Sequence, residues 1–256
     1  MSRWKLALGL VCVTTGLIVA CTTSPTGRNQ LRLVSDAEMA QMGATAFQQL
    51  KQKTPPSQDG KANAYVQCVA NPIIREVGGT WEVQVFDAKE VNAFALPGGK
   101  IGVYTGLLKV AANQDQLAAV IGHEVAHVLA GHSAARVSNQ MAAQLGVALG
   151  SAVTGVSPDM IGMGANLLLL MPYGRGDETE ADVLGMDLMA RAGFNPRQAP
   201  ELWVNMGKAS GGNAPPEFMS THPSNQSRIA DLNRHLPKSL PLYEQARSQG
   251  KAPRCS

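Results

Sequence analysis

The chain has 256 residues, 45% of them hydrophobic, enough to bury the core of one large domain or two small ones and too apolar for a disordered segment. Of its 22 basic residues, Arg3 and Lys5 sit in an N-terminal targeting segment, and the remaining 20 against 19 acidic residues leave a net charge of about +1. That balance excludes the basic surface of a nucleic-acid-binding protein, and an aromatic share of 5% argues against a ligand-stacking face.

Residues 1–20 read as a secretory signal: Arg3 and Lys5, an apolar run from Leu6 to Ala20, then small residues before Cys21. Ile18-Val19-Ala20-Cys21 resembles the bacterial lipobox, whose cysteine is lipidated and becomes the first mature residue. Thr22 stands where lipoproteins retained at the inner membrane carry Asp, which points to an outer-membrane lipoprotein facing the periplasm of a Gram-negative bacterium. The alternative, a transmembrane anchor, needs about 20 apolar residues, and this run is shorter. Residues 21–34 are then a lipidated tether and 35–256 a single domain. With Cys12 in the signal and Cys21 lipidated, Cys68 and Cys255 remain in an oxidising compartment and are expected to pair. Two unconnected thiols are the other possibility.

Along the chain, Ser35-Asp36-Ala37-Glu38 has the pattern of a capping box opening an amphipathic helix to Lys53, ended by TPPSQDG. A second helix covers Asn63 to Val77, interrupted or restarted at Pro72. Trp81, Val83 and Val85 then alternate with polar neighbours as in a strand. Two further strands, Val91 to Leu96 and Lys100 to Thr105, meet at Pro97-Gly98-Gly99, so a small antiparallel sheet is expected. Asn113 can cap a helix through residue 128. Residues 141–171 are rich in Ala, Gly, Leu and Met but are broken by Ser151, Pro158 and Asp159, so they read as buried or groove-lining helices rather than a membrane span. Within residues 150–176 the glycines suggest a lid. Another helix runs from Asp177 to Ala192, closed by Gly193, and a last one follows Pro223.

The third helix region carries GHEVAHVLAGH, 122–132. Residues four apart lie about 40° apart around a helix and about 6 Å along it, so His123 and His127 present their imidazoles to one point, as two ligands of a tetrahedral zinc would. Glu124 stays close enough to that point to take the proton of an attacking water. His132 is about 140° around from His127 and reads as a capping or packing histidine. A zinc site needs a third protein ligand, and GDETEAD at 176–182 offers one. Glu178 and Asp182 share a helical face while Glu180 is about 200° away, so Glu178 is the expected ligand and Asp182 its neighbour, able to accept the outer N–H of a ligand histidine. The plain alternative is an acidic helix start complementing the dipole.

Five ordered segments, TGRNQL at 26–31, NAFALPGGKIGVYTGLL at 92–108, HEVAH at 123–127, ETEAD at 178–182 and THPSNQSRIADL at 221–232, resemble the HtpX and CAAX prenyl protease family of zinc metallopeptidases, peptidase family M48, particularly its small periplasmic lipoprotein members. The resemblance implies an α+β fold, a mostly helical gluzincin-like metalloprotease domain with the small antiparallel sheet beside the HExxH helix. It implies one Zn2+ on His123, His127 and Glu178, with Glu124 as catalytic base. On resemblance alone, His222 and Arg228 are further catalytic candidates, as donors to the developing oxyanion. Unfolded or extended polypeptides are the expected substrates, paired to the edge strand Asn92 to Leu96, with outer-membrane assembly machinery a possible partner. The competing expectation is an envelope chaperone or assembly factor that binds extended chains and cleaves little.

Overall fold

The computed structural model describes residues 21–151, 168–209, 216–223 and 227–255; the signal segment and most of the glycine-rich span lie outside them. Within residues 21–34, expected as a lipidated tether, two short strands pair. β1 (Cys21–Thr23) pairs antiparallel with β2 (Asn29–Leu31), and Gly27 supplies the positive φ of +86° in the turn between them.

The capping box at Ser35 is present: Ser35 Oγ accepts from the Glu38 N–H, and the Glu38 carboxylate accepts from the Ser35 N–H, opening α1 (Asp36–Lys53). Asp59 caps α2 (Gly60–Val77) by accepting from the Lys61 and Ala62 N–H groups. The expected break at Pro72 does not occur. Pro72 lies inside a continuous helix, where its cost of about 3 kcal/mol is offset by full burial of Val66, Val69 and Ile73.

The sheet is mixed rather than antiparallel. β3 (Glu82–Phe86), β4 (Ala93–Leu96) and β5 (Lys100–Tyr104) lie in the order β3-β5-β4. β4 and β5 are antiparallel, as the tight Pro97-Gly98-Gly99 turn requires, with φ of +80° and +70° at the glycines. β3 pairs parallel with β5 because the chain leaving β3 passes beyond β5 before β4 begins. A period of two marks strands but does not say which strands pair. β4 is left at the sheet edge.

Asn113 caps α3 (Gln114–Leu129), accepting from the Gln116 N–H. This helix is buried along Gln116 to His127 and forms the centre of the molecule. α4 (His132–Ser151), α5 (Arg175–Arg191), α6 (Gln198–Ala209), α7 (Glu217–Thr221) and α8 (Arg228–Ser248) surround it. The resulting architecture is α+β, mostly helical, with the small sheet beside α3. No helix among the described residues is long and apolar enough to cross a membrane. Cys68 on α2 is bonded to Cys255 in the C-terminal segment, Cα to Cα 5.7 Å, while Cys21 is exposed and unpaired by disulfide.

One backbone contact positions everything that follows. A Cβ on Gly122 would lie 2.7 Å from the Gly185 carbonyl oxygen, and one on Gly185 would lie 2.7 Å from the His123 nitrogen. Glycine at both points lets α3 and α5 touch backbone to backbone, which carries the N-terminal turn of α5 up to the histidines of α3.

Candidate metal centre

His123 and His127 project from α3 with their Nε2 atoms 3.0 Å apart. Glu178, in the first turn of α5, places Oε2 at 3.4 Å from His123 Nε2 and Oε1 at 3.3 Å from His127 Nε2. His222, just past α7, adds Nδ1 at 3.2 Å from His123 Nε2 and 3.0 Å from Glu178 Oε1. These four buried donors lie within 4.8 Å of one another. Ligands roughly 2.0–2.1 Å from a tetrahedral zinc are about 3.3 Å from each other, so the spacings are those of a zinc coordination shell. Three imidazole nitrogens and a carboxylate turned onto one buried point are the donor types that zinc takes, which is the chemical reason the donor set fits the ion.

Burial and hydrogen bonding pull in opposite directions across the cluster. Burial and its three histidine neighbours oppose one another at Glu178, and the hydrogen bonds prevail, holding the carboxyl far below the usual glutamate range. Burial pushes His127 well below an ordinary histidine, keeping the ring neutral, as a metal ligand must be. At His123 burial acts downward, but hydrogen bonding to Asp182 and Glu178 raises the ring to about 9.

Asp182 sits where the helical face places it, Oδ1 at 3.0 Å from His123 Nδ1. Glu124 turns its carboxylate toward the sheet: Oε2 accepts from the Ala95 N–H at 3.2 Å, and Oε1 is buried without a hydrogen-bond partner, 3.3 Å from His222 Nε2. Burial raises the Glu124 carboxyl above its usual range. Arg228 spends its donors on carboxylates, Nη1 on Glu178 Oε2 at 2.9 Å and Nη2 on Asp182 Oδ1 at 2.7 Å, with the guanidinium over the Trp203 ring at 3.4 Å. It therefore braces the centre from the α8 side. His222 is both a fourth donor and a neighbour of Glu124, a double placement its sequence context does not signal.

Sequence reasoning missed the aromatic walls. Tyr173 stacks on His127 at 3.9 Å and Phe218 on His222 at 4.5 Å, fixing both rings. It also set aside His132 and Glu180, which are buried together beside His127. Only the TGRNQL segment, whose residues contact Glu180, could have drawn attention to them. In front of the centre a cavity of about 200 Å³ opens along β4, lined by Asn92, Ala93, Ala95, Glu124, Leu168 and His222 among others.

A buried His-Glu-x-x-His helix with a glutamate from a second helix, beside an edge strand, defines a metallopeptidase-type zinc centre. The chain belongs to peptidase family M48, whose model matches residues 56–236. It is 40% identical over 180 residues, 68% of this chain and 53% of the relative, to the mitochondrial metalloendopeptidase OMA1 of Schizosaccharomyces pombe. The Arabidopsis thaliana OMA1 is 36% identical over 246 residues, 90% of this chain and 48% of that one. The beta-barrel assembly-enhancing protease of Escherichia coli is 27% identical over 228 residues, 83% and 47%. The chain thus spans about half the length of these curated relatives.

Proposed function

We propose that this chain is a zinc metalloendopeptidase in which His123, His127 and Glu178 hold the metal and Glu124 is the general base. The observation that carries the reading is the convergence of two imidazole Nε2 atoms and a carboxylate on one point, with the Glu124 carboxylate beside it and an unpaired strand edge in front. Zinc bound there supplies Lewis acidity to the scissile carbonyl and to the attacking water. Glu124 takes the water proton and passes it to the leaving amine, and its raised pKa suits both directions of transfer. Asp182 holds His123 in the tautomer that directs Nε2 at the metal.

Substrate binds as an added strand. Tyr104 N–H bonds to Asn92 C=O, so by antiparallel alternation Phe94 and Leu96 face β5 while Ala93 and Ala95 turn their backbone groups outward to the groove. Main-chain pairing tolerates many sequences and requires an extended chain, which favours misfolded or unassembled proteins over folded ones. The lipobox-like Ile18-Val19-Ala20-Cys21 supports an outer-membrane anchor facing the periplasm, where such substrates are envelope proteins. The printed name of the Escherichia coli relative, a beta-barrel assembly-enhancing protease, supports outer-membrane assembly machinery as a partner.

His222 favours a qualification of this reading. A hydrolytic zinc would need one position open, and His222 Nδ1, 3.2 Å from His123 Nε2 and 3.0 Å from Glu178 Oε1, would be a fourth ligand that has to move aside for the reaction. If His222 instead serves as an oxyanion donor, His222→Ala lowers cleavage; if it closes the site, the variant cleaves faster.

Zinc stoichiometry and casein cleavage of the chain from Cys21 onward, beside Glu124→Gln, test the proposal. One zinc in both proteins and cleavage only by the unsubstituted one supports it. Equal cleavage by both would refute the base, and a zinc-bearing protein that binds casein without cutting it would favour an envelope chaperone. Release of Cys21→Ala from membranes tests the anchor.

A further inference from the structure

The N-terminal hairpin is docked directly behind His127. Thr26 donates to Glu180 Oε1 through Oγ1 at 2.6 Å and through its N–H at 3.2 Å. Arg28 donates Nη1 to Glu180 Oε2 at 2.9 Å and pairs Nη2 with Asp177 at 2.9 Å. The guanidinium lies over Gly176, where a Cβ would come within 2.8 Å of Nη2. Gln30 Nε2 donates to the Ala130 carbonyl at 2.9 Å, at the C-terminus of α3. Beyond this carboxylate stands His132, its Nε2 at 3.2 Å from Glu180 Oε2 and its Nδ1 at 2.9 Å from His127 Nδ1. His132 is 1% exposed and Glu180 4%.

From this chain of contacts we propose that Glu180 and His132 are positioning residues for His127, and that the Thr26-Gly27-Arg28 turn holds them there. The proton arrangement has one neutral solution. With Nε2 of His127 directed into the donor cluster, its Nδ1 carries hydrogen and donates to His132 Nδ1; His132 Nε2–H then donates to Glu180. Every ring nitrogen has a complementary partner, and the carboxylate polarises both imidazoles in turn. His123 reaches its orienting carboxylate, Asp182, directly, whereas His127 reaches one through a second imidazole. The hairpin is thereby a component of the metal centre: the residues that follow the proposed lipidated Cys21 supply the hydrogen bonds that hold Glu180 in place.

The inference rests on His127 being a zinc ligand, and the test separates the two claims. Zinc affinity is measured by competition with a chromogenic chelator on the full chain and on His127→Ala, His132→Leu, His132→Gln, Glu180→Gln and Arg28→Ala, and the unfolding of each metal-free protein is followed by circular dichroism. His132→Leu and Glu180→Gln are expected to bind zinc about 10- to 100-fold more weakly. His132→Gln recovers most of the loss, because its amide can accept from His127 and donate to Glu180. Arg28→Ala, a partly exposed position, weakens binding severalfold, and the Co2+-loaded His132→Leu protein shows a shifted visible spectrum. Unchanged affinity in His132→Leu and Glu180→Gln would overturn the relay and leave the metal site standing. Equal loss in His132→Leu and His132→Gln, or loss that merely follows metal-free stability, would reduce it to packing and overturn it too. Undiminished zinc binding by His127→Ala would overturn the ligand assignment itself.

Discussion

The Ala95 N–H donates to Glu124 Oε2 at 3.2 Å, so the edge strand and the helix carrying the proposed base are joined at the carboxylate. Ala95 faces away from β5, and proline there removes an N–H without breaking the ladder. Ala95→Pro is expected to keep its fold and its zinc while kcat/KM falls about 10- to 100-fold, the worth of a hydrogen bond to a charged group. Steady-state cleavage of an unfolded substrate measures this. Wild-type kinetics would show that neither Glu124 nor the substrate uses that N–H.

Asp182 accepts from His123 and from Arg228 at once. Asp182→Asn removes the charge both partners face, and zinc affinity is expected to fall about 10- to 100-fold with the secondary structure intact. Chelator competition reads the change, and an unaltered dissociation constant would refute the orienting role.

The disulfide between Cys68 and Cys255 closes 187 residues of sequence. Cys68→Ser is expected to cost about 2–5 kcal/mol in denaturant unfolding, and reductant should lower the unsubstituted protein by the same amount. Identical midpoints in all three samples would mean that the bond constrains nothing.

Glu82 joins three elements, accepting from Lys51 of α1 and from Lys100 of β5 at 2.9 Å. Hydrogen bonding to Lys51 and then Lys100 holds its carboxyl below the ordinary 4.5. Because the folded pKa is depressed, the stability contributed is complete above 4.5 and is lost as pH falls from 4.5 through the lowered folded value. The pair is partly exposed, so Glu82→Gln should cost no more than about 1 kcal/mol at pH 7. Urea unfolding of both proteins at pH 7, 4 and 3 should show the difference shrinking with acid; a difference that grows would contradict the sign.

The helical spacing of His123, Glu124 and His127, and of Glu178 and Asp182, was legible in the chain because residues on one helix face are separated by a fixed angle wherever that helix ends up. The caps at Ser35 and Asn113 were legible for a similar reason: a cap is a contact within four residues. The parallel pairing of β3 with β5 was not, since pairing depends on where a connection crosses rather than on alternation. Nor were His132 and Glu180. Angle alone set both aside from the metal, correctly as far as direct contact goes, yet a side chain turned away from the metal on one helix can still meet the back of a ligand on another.

Local chemistry in the sequence thus determined which side chains could converge: two imidazoles on one helix, a carboxylate pair on a second, and a strand edge opened by Pro97-Gly98-Gly99. Tertiary structure decided that they do. The Gly122 and Gly185 contact brings α3 and α5 close enough for Glu178 to meet the histidines, and α7 and α8 bring in His222 and Arg228. The N-terminal hairpin closes the rear of the site through Arg28 and Thr26. Separations of 44 to 154 residues along the chain divide these partners, and no periodicity reaches that far; only the packing of buried backbone against buried backbone sets them a hydrogen bond apart.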